Sequence, residues 1–243
     1  EIKDNMTPVS AGDLAIENNI RSLVKNDHPE LSIIGEEYGE TIADSKIKLI
    51  IDNYNENSFE LLEANNNPEN ENAGTRQLQF GKELYIEKED FSEDPPKKFF
   101  RLSIGKEVRL MHAYYIKCTH INKNSNNKIT SIHCTYDPQT RGGWSKDGRK
   151  VRGTIHWVDA NKALNAKINI YQKLFHNNNP YACKNGETFV DNINNQSLTT
   201  LSNAKLEPCL LDASKEQNYQ FVRKGYFIKD NKSTDNNIIF NQT

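Results

Sequence analysis

The sequence has no long apolar run, few cysteines and no excess of charge of one sign. None of its 243 residues lies in a stretch near the roughly 20 apolar residues that a membrane-spanning helix needs, so we expect no membrane partner. The sequence does not begin with a basic segment followed by an apolar one, so we expect no secretory leader. Four cysteines are too few for a disulfide-stapled fold. We therefore expect reduced thiols and a cytoplasmic location.

The charges of the two signs nearly cancel. With 31 basic and 33 acidic residues the formal charge is −2, which excludes a uniformly cationic coat for nucleic acid. A basic face balanced by acidic loops elsewhere is still compatible with this total.

The common catalytic motifs are also missing. The sequence contains no Gly-x-Ser-x-Gly, no His-Glu-x-x-His and no Walker phosphate loop. The nearest match to a phosphate loop, residues 143–148, lacks the Gly-Lys-Ser/Thr ending. The motifs therefore do not indicate a catalytic site.

The hydrophobic pattern changes near residue 40. Before that point the spacing predicts a helix over residues 11–25, with Ser10 as its N-cap, and a short strand over 31–35. After it the pattern predicts strands almost throughout, at residues 47–51, 58–63, 83–87, 107–121, 128–136, 151–157, 167–175, 218–229 and 237–240. Many short strands without long helices are typical of barrels or sandwiches. We therefore predict a mainly β fold with a short N-terminal α-helix and strand.

Residues 107–121 show the clearest alternation. One parity forms the expected core face: Val108, Leu110, Tyr114, Ile116 and Cys118. Arg109 belongs to the other parity and is expected on the outside. Residues 128–136 should pair with this strand as a long hairpin.

Two basic stretches, residues 95–101 and 141–152, interleave lysine and arginine with aromatic residues. Such a pattern can neutralise phosphates and stack on single-stranded bases. A merely solvated basic face has the same composition, so both interpretations stay open at this level.

Ten segments in family order over residues 44–243 resemble the glutaminyl-tRNA synthetases. They lie at 48–54, 74–77, 83–87, 94–102, 105–110, 134–138, 147–158, 207–208, 219–227 and 240–243, and include Gly-Lys-Glu-Val-Arg-Leu and Asp-Gly-Arg-Lys-Val-Arg-Gly-Thr-Ile-His-Trp-Val. The resemblance is to the C-terminal anticodon-binding region, which implies two interleaved β-barrels over residues 41–243. It also implies tRNA(Gln) as partner and a monomeric state.

The resemblance implies four contacts to anticodon bases: Arg101, Arg109, Gln220 and Arg223. The basic stretches add three candidates for the tRNA backbone: Lys98, Lys150 and Arg152. Arginine and glutamine present paired donors or acceptors to a splayed-out base. Gln220 and Arg223 are three residues apart, so both reach RNA only where the backbone bends or bulges.

The sequence departs from the family pattern at several positions. Met111 stands where many bacterial members have a second arginine, Phe100 precedes Arg101 where the family often has lysine, and Gly39-Glu40 lie near the place of a further arginine. Because of Met111 and Phe100, the resemblance supports reading of the first anticodon base less firmly. The contact of the further arginine is expected to be lost. The His-Ile-Gly-His-like and Lys-Met-Ser-Lys-Ser-like signatures of the catalytic half are missing. We expect no adenylate formation by this chain; ATP and Mg²⁺ are implied only for a full-length parent.

Residues 1–40 instead resemble the inositol monophosphatase and histidinol-phosphatase family. That resemblance makes Glu36 a candidate magnesium ligand and Asp13 a residue that orients the site. The Asp-Pro-Ile/Leu-Asp-Gly-Thr segment and the later aspartate of that family are missing, and one ligand cannot hold a multi-metal site. A fragment of a magnesium-dependent phosphomonoesterase is the alternative function, and an acidic helix cap with an exposed acidic turn is the plainer interpretation.

Four residues on two expected partner strands could in principle form a zinc site: Cys118, His120, His133 and Cys134. Strand alternation puts Cys118 and His120 on one face, but His133 and Cys134 on opposite faces. All four cannot converge without a bulge, so we expect packed and hydrogen-bonded residues rather than zinc.

Overall fold

The computed structural model describes residues 41–42, 46–67 and 70–243. Its strands are β1 Thr41–Ile42, β2 Lys46–Ile51, β3 Phe59–Asn65, β4 Thr75–Gly81, β5 Glu83–Glu87, β6 Glu107–Leu110, β7 Tyr115–Lys123, β8 Ile129–Asp137, β9 Thr154–Ile155, β10 Val158–Asp159, β11 Leu164–Tyr171, β12 Leu198–Leu206, β13 Asn218–Phe221, β14 Gly225–Lys229 and β15 Ile238–Gln242. Short 3₁₀ helices occupy Glu71–Ala73, Lys88–Asp90, Pro138–Thr140, Phe189–Asn192 and Pro208–Asp212. The predicted mainly β class is confirmed. The predicted helix over residues 11–25 and strand over 31–35 lie outside the described residues.

Seven strands form one curved sheet in the order β10-β5-β2-β8-β7-β6-β9, and β3 and β4 form a separate antiparallel pair. We call these nine strands the first barrel. Alternate residues of β2 are buried, which explains why its Ile-Lys-Leu-Ile-Ile pattern predicts a strand with one face on the core. The predicted hairpin between 107–121 and 128–136 is confirmed for β7 and β8, which pair antiparallel.

The prediction of one continuous strand over residues 107–121 is wrong. Residues 111–114 form a tight turn between β6 and β7, and His112 takes a positive φ of 59°. The two strands then pair with each other, with Val108 opposite Ile116. The predicted core parity survives because the turn restores it: Val108, Leu110, Tyr114, Ile116 and Cys118 are all buried.

The core of the first barrel is centred on aromatic rings. Phe80 is fully buried and lies 5.2 Å from the Tyr54 ring, 5.1 Å from Tyr114 and 5.4 Å from Trp157, measured between ring centroids. Edge-on and tilted ring pairs at such distances add about 0.5–1.5 kcal/mol each to the burial term. The Trp157 indole N–H donates to the Met111 backbone oxygen at 2.9 Å, so the polar edge of the ring is satisfied.

Six strands form the second sheet, in the order β1-β12-β11-β15-β14-β13, which we call the second barrel. Its core includes Phe221, Phe227 and Phe240, with the first two rings stacked at 4.3 Å. The sequence predicted one strand over 218–229, whereas the structure has the antiparallel hairpin of β13 and β14 with a turn at residues 222–224. The prediction of a strand over 151–157 is largely wrong, since only Thr154–Ile155 is extended in a sheet there.

A buried ion pair joins the two barrels. The Arg76 side chain, on β4, donates from Nε to Glu207 Oε2 at 2.7 Å, and the two side chains are only 7% and 3% exposed. Glu207 directly precedes the 3₁₀ helix Pro208–Asp212 of the second barrel. The buried His156 ring lies 3.6 Å from the other carboxylate oxygen of Glu207. Loss of one member of such a pair leaves a buried charge without its partner, which typically costs about 3–5 kcal/mol.

Within the described part of the chain, no helix has the length and apolar character needed to cross a membrane.

Candidate nucleic-acid interface

Two of the four residues predicted to contact bases, Arg101 and Arg223, meet at one buried carboxylate. Asp90, at the end of the 3₁₀ helix Lys88–Asp90, has no exposed surface. Arg223 donates to it from Nη1 at 2.8 Å and from Nη2 at 2.9 Å, a bidentate pair. Arg101 Nη1 lies 3.0 Å from Asp90 Oδ1. We call these three residues the Asp90 cluster.

The Asp90 cluster joins both barrels and still faces solvent. Arg101 is the last residue of the first basic stretch, whereas Arg223 lies in the β13–β14 turn of the second barrel. The Arg101 and Arg223 side chains are 34% and 32% exposed. The hydrogen bonds that Arg223 donates to Asp90 raise the pKa of Arg223 above its already high value, so this guanidinium stays charged. Two fixed cations are thereby presented side by side.

The β13–β14 turn explains how two residues three positions apart can serve one surface. Gln220 lies in β13 opposite Tyr226, while Arg223 has left the strand with a positive φ of 64°. The predicted bend is therefore present as a hairpin turn. The Gln220 Oε1 atom is buried and accepts no hydrogen bond from the described residues.

The next residue, Lys224, anchors the same turn to the first barrel. Its Nζ lies 3.1 Å from Oε2 of the buried Glu87 and 3.5 Å from Glu89. Burial raises the pKa of Glu87, and the nearby Lys224 ammonium opposes that shift. Glu87 and Glu89 thus hold Lys224, and with it the β13–β14 turn, against the first barrel.

Arg109 lies on the outer parity of β6, as predicted, and its head group is held in place. Nε and Nη2 donate to Thr154 Oγ1 at 3.0 and 2.8 Å, and Nη1 lies 3.5 Å from the Gly143 carbonyl oxygen. A β-carbon on Gly143 would come 2.5 Å from Arg109 Cδ, so any other residue at position 143 would force the Arg109 side chain to shift. The structure does not link Arg109 directly to the Asp90 cluster by any described hydrogen bond.

The two basic stretches are neighbours in the fold. A β-carbon on Gly153, the residue after the second stretch, would lie 2.0 Å from the Phe100 backbone oxygen, so the two backbones are in close contact there. The Arg152 guanidinium lies 5.6 Å from the centroid of the Phe100 ring. Lys98 and Lys150 are exposed. Arg149, in contrast, is held by hydrogen bonds to Glu107, Asp137 and Asp147, the first from Nε at 3.1 Å.

Exposed aromatic rings accompany these cations. Phe100 is 48% exposed and Trp144 is 76% exposed. Flat apolar rings in water beside basic side chains suit base stacking. Trp144 could be found from the sequence only as part of a mixed basic stretch, since nothing local marks it as exposed.

Asp90 is the residue that sequence reasoning missed. Its local sequence, Lys-Glu-Asp-Phe, is typical of an exposed acidic turn. Its burial depends on Arg223, which is 133 residues away in the chain.

The candidate ligands of the N-terminal segment, Glu36 and Asp13, lie outside the described residues. The four candidates for a zinc site do not converge. Cys118 and Cys134 are buried, whereas His120 is exposed and His133 is half-buried. The expectation that Cys118 and His120 share a face is wrong because the pairing with β8 shifts register between them.

Comparison with known proteins identifies the same region. Residues 41–137 match the family model described as tRNA synthetases class I (E and Q), anti-codon binding domain, and residues 154–230 match a second model with that description. The chain is 48% identical over 197 residues to the Glutamine--tRNA ligase of Bradyrhizobium diazoefficiens, covering 81% of this chain and 35% of the relative. For that of Clostridium perfringens the identity is 47% over 199 residues, with 81% and 35% covered.

A third relative, the Glutamine--tRNA ligase of Rhodopirellula baltica, is 46% identical over 196 residues, covering 81% of this chain and 32% of the relative. The chain thus spans about a third of the length of the curated relatives it matches. The two matched regions together include every described strand except β15, and they contain the Asp90 cluster and Arg109. The chain belongs to the anticodon-binding domain family of the class I (E and Q) tRNA synthetases.

Proposed function

We propose that this chain recognises the anticodon of tRNA(Gln) as the anticodon-binding part of a glutamine–tRNA ligase. The similarity to the glutamine–tRNA ligases supports the choice of tRNA. The observation that carries the proposal is the Asp90 cluster, in which one buried carboxylate holds an arginine from each barrel at the surface. Such an arrangement orders two guanidinium groups before RNA arrives, so less side-chain entropy is lost on binding.

The residues divide into two roles in this proposal. Those that present paired donors or acceptors contact unstacked anticodon bases: Arg101, Arg109, Gln220 and Arg223. Three exposed basic side chains of the two basic stretches are placed on the RNA backbone instead: Lys98, Lys150 and Arg152. Gln220 contributes after its side chain turns outward, which costs little because its buried Oε1 accepts no hydrogen bond from the described residues. Stacking on Phe100 and Trp144 would hold bases in the splayed-out form.

The boundaries of the recognition unit belong to the same proposal. Residues 41–243 form the two interleaved barrels, and residues 1–40 are a separate phosphatase-like segment. The pairing of β1 with β12 supports interleaving, because the chain enters the second sheet before it builds the first barrel. We expect the unit to act as a monomer in the cytoplasm. The ATP and Mg²⁺ used by a full-length ligase are expected to bind outside this chain, so isolated protein should not charge tRNA.

The alternative, a fragment of a magnesium-dependent phosphomonoesterase, is not favoured. It rests on residues 1–40, whereas the matched family begins at residue 41.

The experiment is a filter-binding titration of the chain with anticodon stem-loops of tRNA(Gln). One loop carries the C-U-G anticodon, and its matched control differs only in the middle base. We expect tighter binding of the C-U-G loop, by about 1–3 kcal/mol, together with an affinity that falls as salt rises. Equal binding of the two loops at moderate salt would contradict the proposal.

A further inference from the structure

Three adjacent strands bring two histidines and an aspartate together on the outer face of the first barrel. His133 in β8 pairs directly with His120 in β7, and Ile50 of β2 pairs with His133 on the other side. Asp52 follows the end of β2 by one residue. The bulge at Thr119 is decisive, because it turns His120 outward while Cys118 stays in the core.

The ligating atoms of these three residues are already close. His133 Nδ1 lies 2.8 Å from Asp52 Oδ1, and one donor atom from each of the three residues lies within 4.8 Å of the other two. The imidazole rings of His120 and His133 are stacked, with centroids 4.3 Å apart and planes inclined by 15°. Tetrahedral zinc bonds of about 2.0–2.1 Å put ligand atoms about 3.3 Å apart. The donor atoms here lie within 4.8 Å of one another, and rotation of the exposed His120 ring can bring its donor atom to the shorter distance.

The surrounding hydrogen bonds favour ligation by neutral rings. Thr119 Oγ1 donates to the His133 backbone oxygen at 3.1 Å and lies 3.1 Å from His120 Nδ1. A proton on His120 Nδ1 then points at the Thr119 hydroxyl, and the Nε2 lone pair of His120 is left for a ligand. Such outer contacts fix the tautomer and orientation of metal-bound histidines.

We propose that His120, His133 and Asp52 form a binding site for a divalent ion of the zinc class. The ion takes the place of the proton that His133 Nδ1 shares with Asp52, and His120 Nε2 supplies the third bond. That proton moves to His133 Nε2, which lies 2.9 Å from the Asn122 side-chain amide nitrogen and 3.3 Å from Ser131 Oγ. The Asn122 amide turns over in this step, so that its oxygen accepts the new Nε2 proton.

Two imidazoles and one carboxylate suit Zn²⁺ and leave a fourth position open to water, whereas Mg²⁺ and Ca²⁺ need more oxygen ligands. The site uses none of the residues placed on the anticodon. It is therefore independent of the proposed RNA function.

The test is calorimetric titration of the whole chain with zinc chloride in the micromolar range. The site variants are His120→Asn, His133→Asn and Asp52→Asn. The matched control is His176→Asn, which changes an exposed histidine in a loop of the second half of the chain. We expect each site variant to weaken binding of one zinc equivalent by at least about tenfold, and the control to leave it unchanged. Far-UV circular dichroism checks the fold of each variant.

A second measurement needs no substitution. Ring-nitrogen NMR shifts of the unsubstituted protein should move for His120 and His133 on addition of zinc, and stay in place for His176. The proposal is overturned if the chain binds no zinc in that range, if the three site variants bind it like the parent, or if the His120 and His133 ring nitrogens do not respond.

Discussion

Arg223 and Asp90 form a bidentate ion pair, at 2.8 and 2.9 Å, between the turn of one barrel and a fully buried carboxylate of the other. Arg101 shares the same carboxylate at 3.0 Å. Each arginine keeps about a third of its side chain exposed. Asp90 therefore both neutralises and orients two cations that we place on the anticodon, and the two effects can be separated by experiment.

Asp90→Asn should reduce discrimination between anticodons without a general loss of binding. The amide cannot hold two guanidinium groups, so we expect the preference for the C-U-G loop to fall by about 1–3 kcal/mol. Removal of a negative charge beside two arginines should leave the binding of mismatched loops equal or stronger. Filter binding with both loops measures this, with the exposed Asp94→Asn as control. An equal loss for both loops would indicate a purely structural role.

Arg223→Ala and Lys150→Ala should behave differently. Arg223→Ala removes a fork of donors from a base edge and should relax discrimination at one anticodon position, at a cost of about 1–3 kcal/mol. The exposed Lys150 contributes at most one phosphate contact, so Lys150→Ala should weaken all loops alike and lower the salt slope by roughly one. Titrations of both variants at several salt concentrations distinguish the roles. Uniform weakening by Arg223→Ala would remove it from the base-reading set.

The sequence predicted the strands where one face is buried, but not their turns and bulges. Val108, Leu110 and Ile116 follow a two-residue alternation that any pairing must keep, and all are buried. The turn at residues 111–114 and the bulge at Thr119 depend on the partner strands, β9 and β8, which local pattern does not specify.

The candidate site was predictable only in part, for a related physical reason. Charge and aromatic clustering indicated both basic stretches, which the fold does bring together at Gly153 and Phe100. Asp90 could not be found this way, because a carboxylate becomes buried only when distant cations compensate its charge. The same holds for Asp52, whose proximity to His133 follows from strand order alone.

Arg76→Met should destabilise the fold strongly, since it leaves Glu207 buried without its 2.7 Å partner. We expect the free energy of unfolding to fall by about 3–5 kcal/mol, measured by urea denaturation. The control is Lys82→Met, because Lys82 pairs with the largely exposed Glu56 and should contribute only about 0–1 kcal/mol. Similar losses for the two variants would argue against the ion pair as a junction between the barrels.

Stability should also fall in mild acid because of His156. Burial lowers the pKa of His156 well below its ordinary value of 6.5, and Arg223 adds to the shift. In mild acid the unfolded chain therefore protonates this histidine, whereas the folded chain keeps it neutral. The contribution of His156 to the free energy of unfolding is therefore fully present above about pH 6.5. Below that pH it decreases by up to about 1.4 kcal/mol per pH unit. Carboxylates with lowered pKa, such as Asp137, act only at more acidic pH.

His156→Gln should flatten this slope between about pH 6.5 and 5, whereas His176→Gln should not. Urea unfolding at a series of pH values gives both slopes. Burial also lowers the pKa of His112, so some slope should persist in the His156 variant. An unchanged slope would show that His156 is not the group responsible.

Gly143→Ala should impair Arg109 without removing its charge. The new β-carbon would lie 2.5 Å from Arg109 Cδ, so the guanidinium must leave its position beside Thr154. Gly142 is a matched control: its φ of +80° is close to the +81° of Gly143, but a β-carbon there meets no atom within 4 Å. Both alanines carry a similar strain, about 1 kcal/mol, from the left-handed conformation. Only Gly143→Ala should also reduce the preference for the C-U-G loop, and equal preferences in the two variants would mean that the position of Arg109 is not set by this contact.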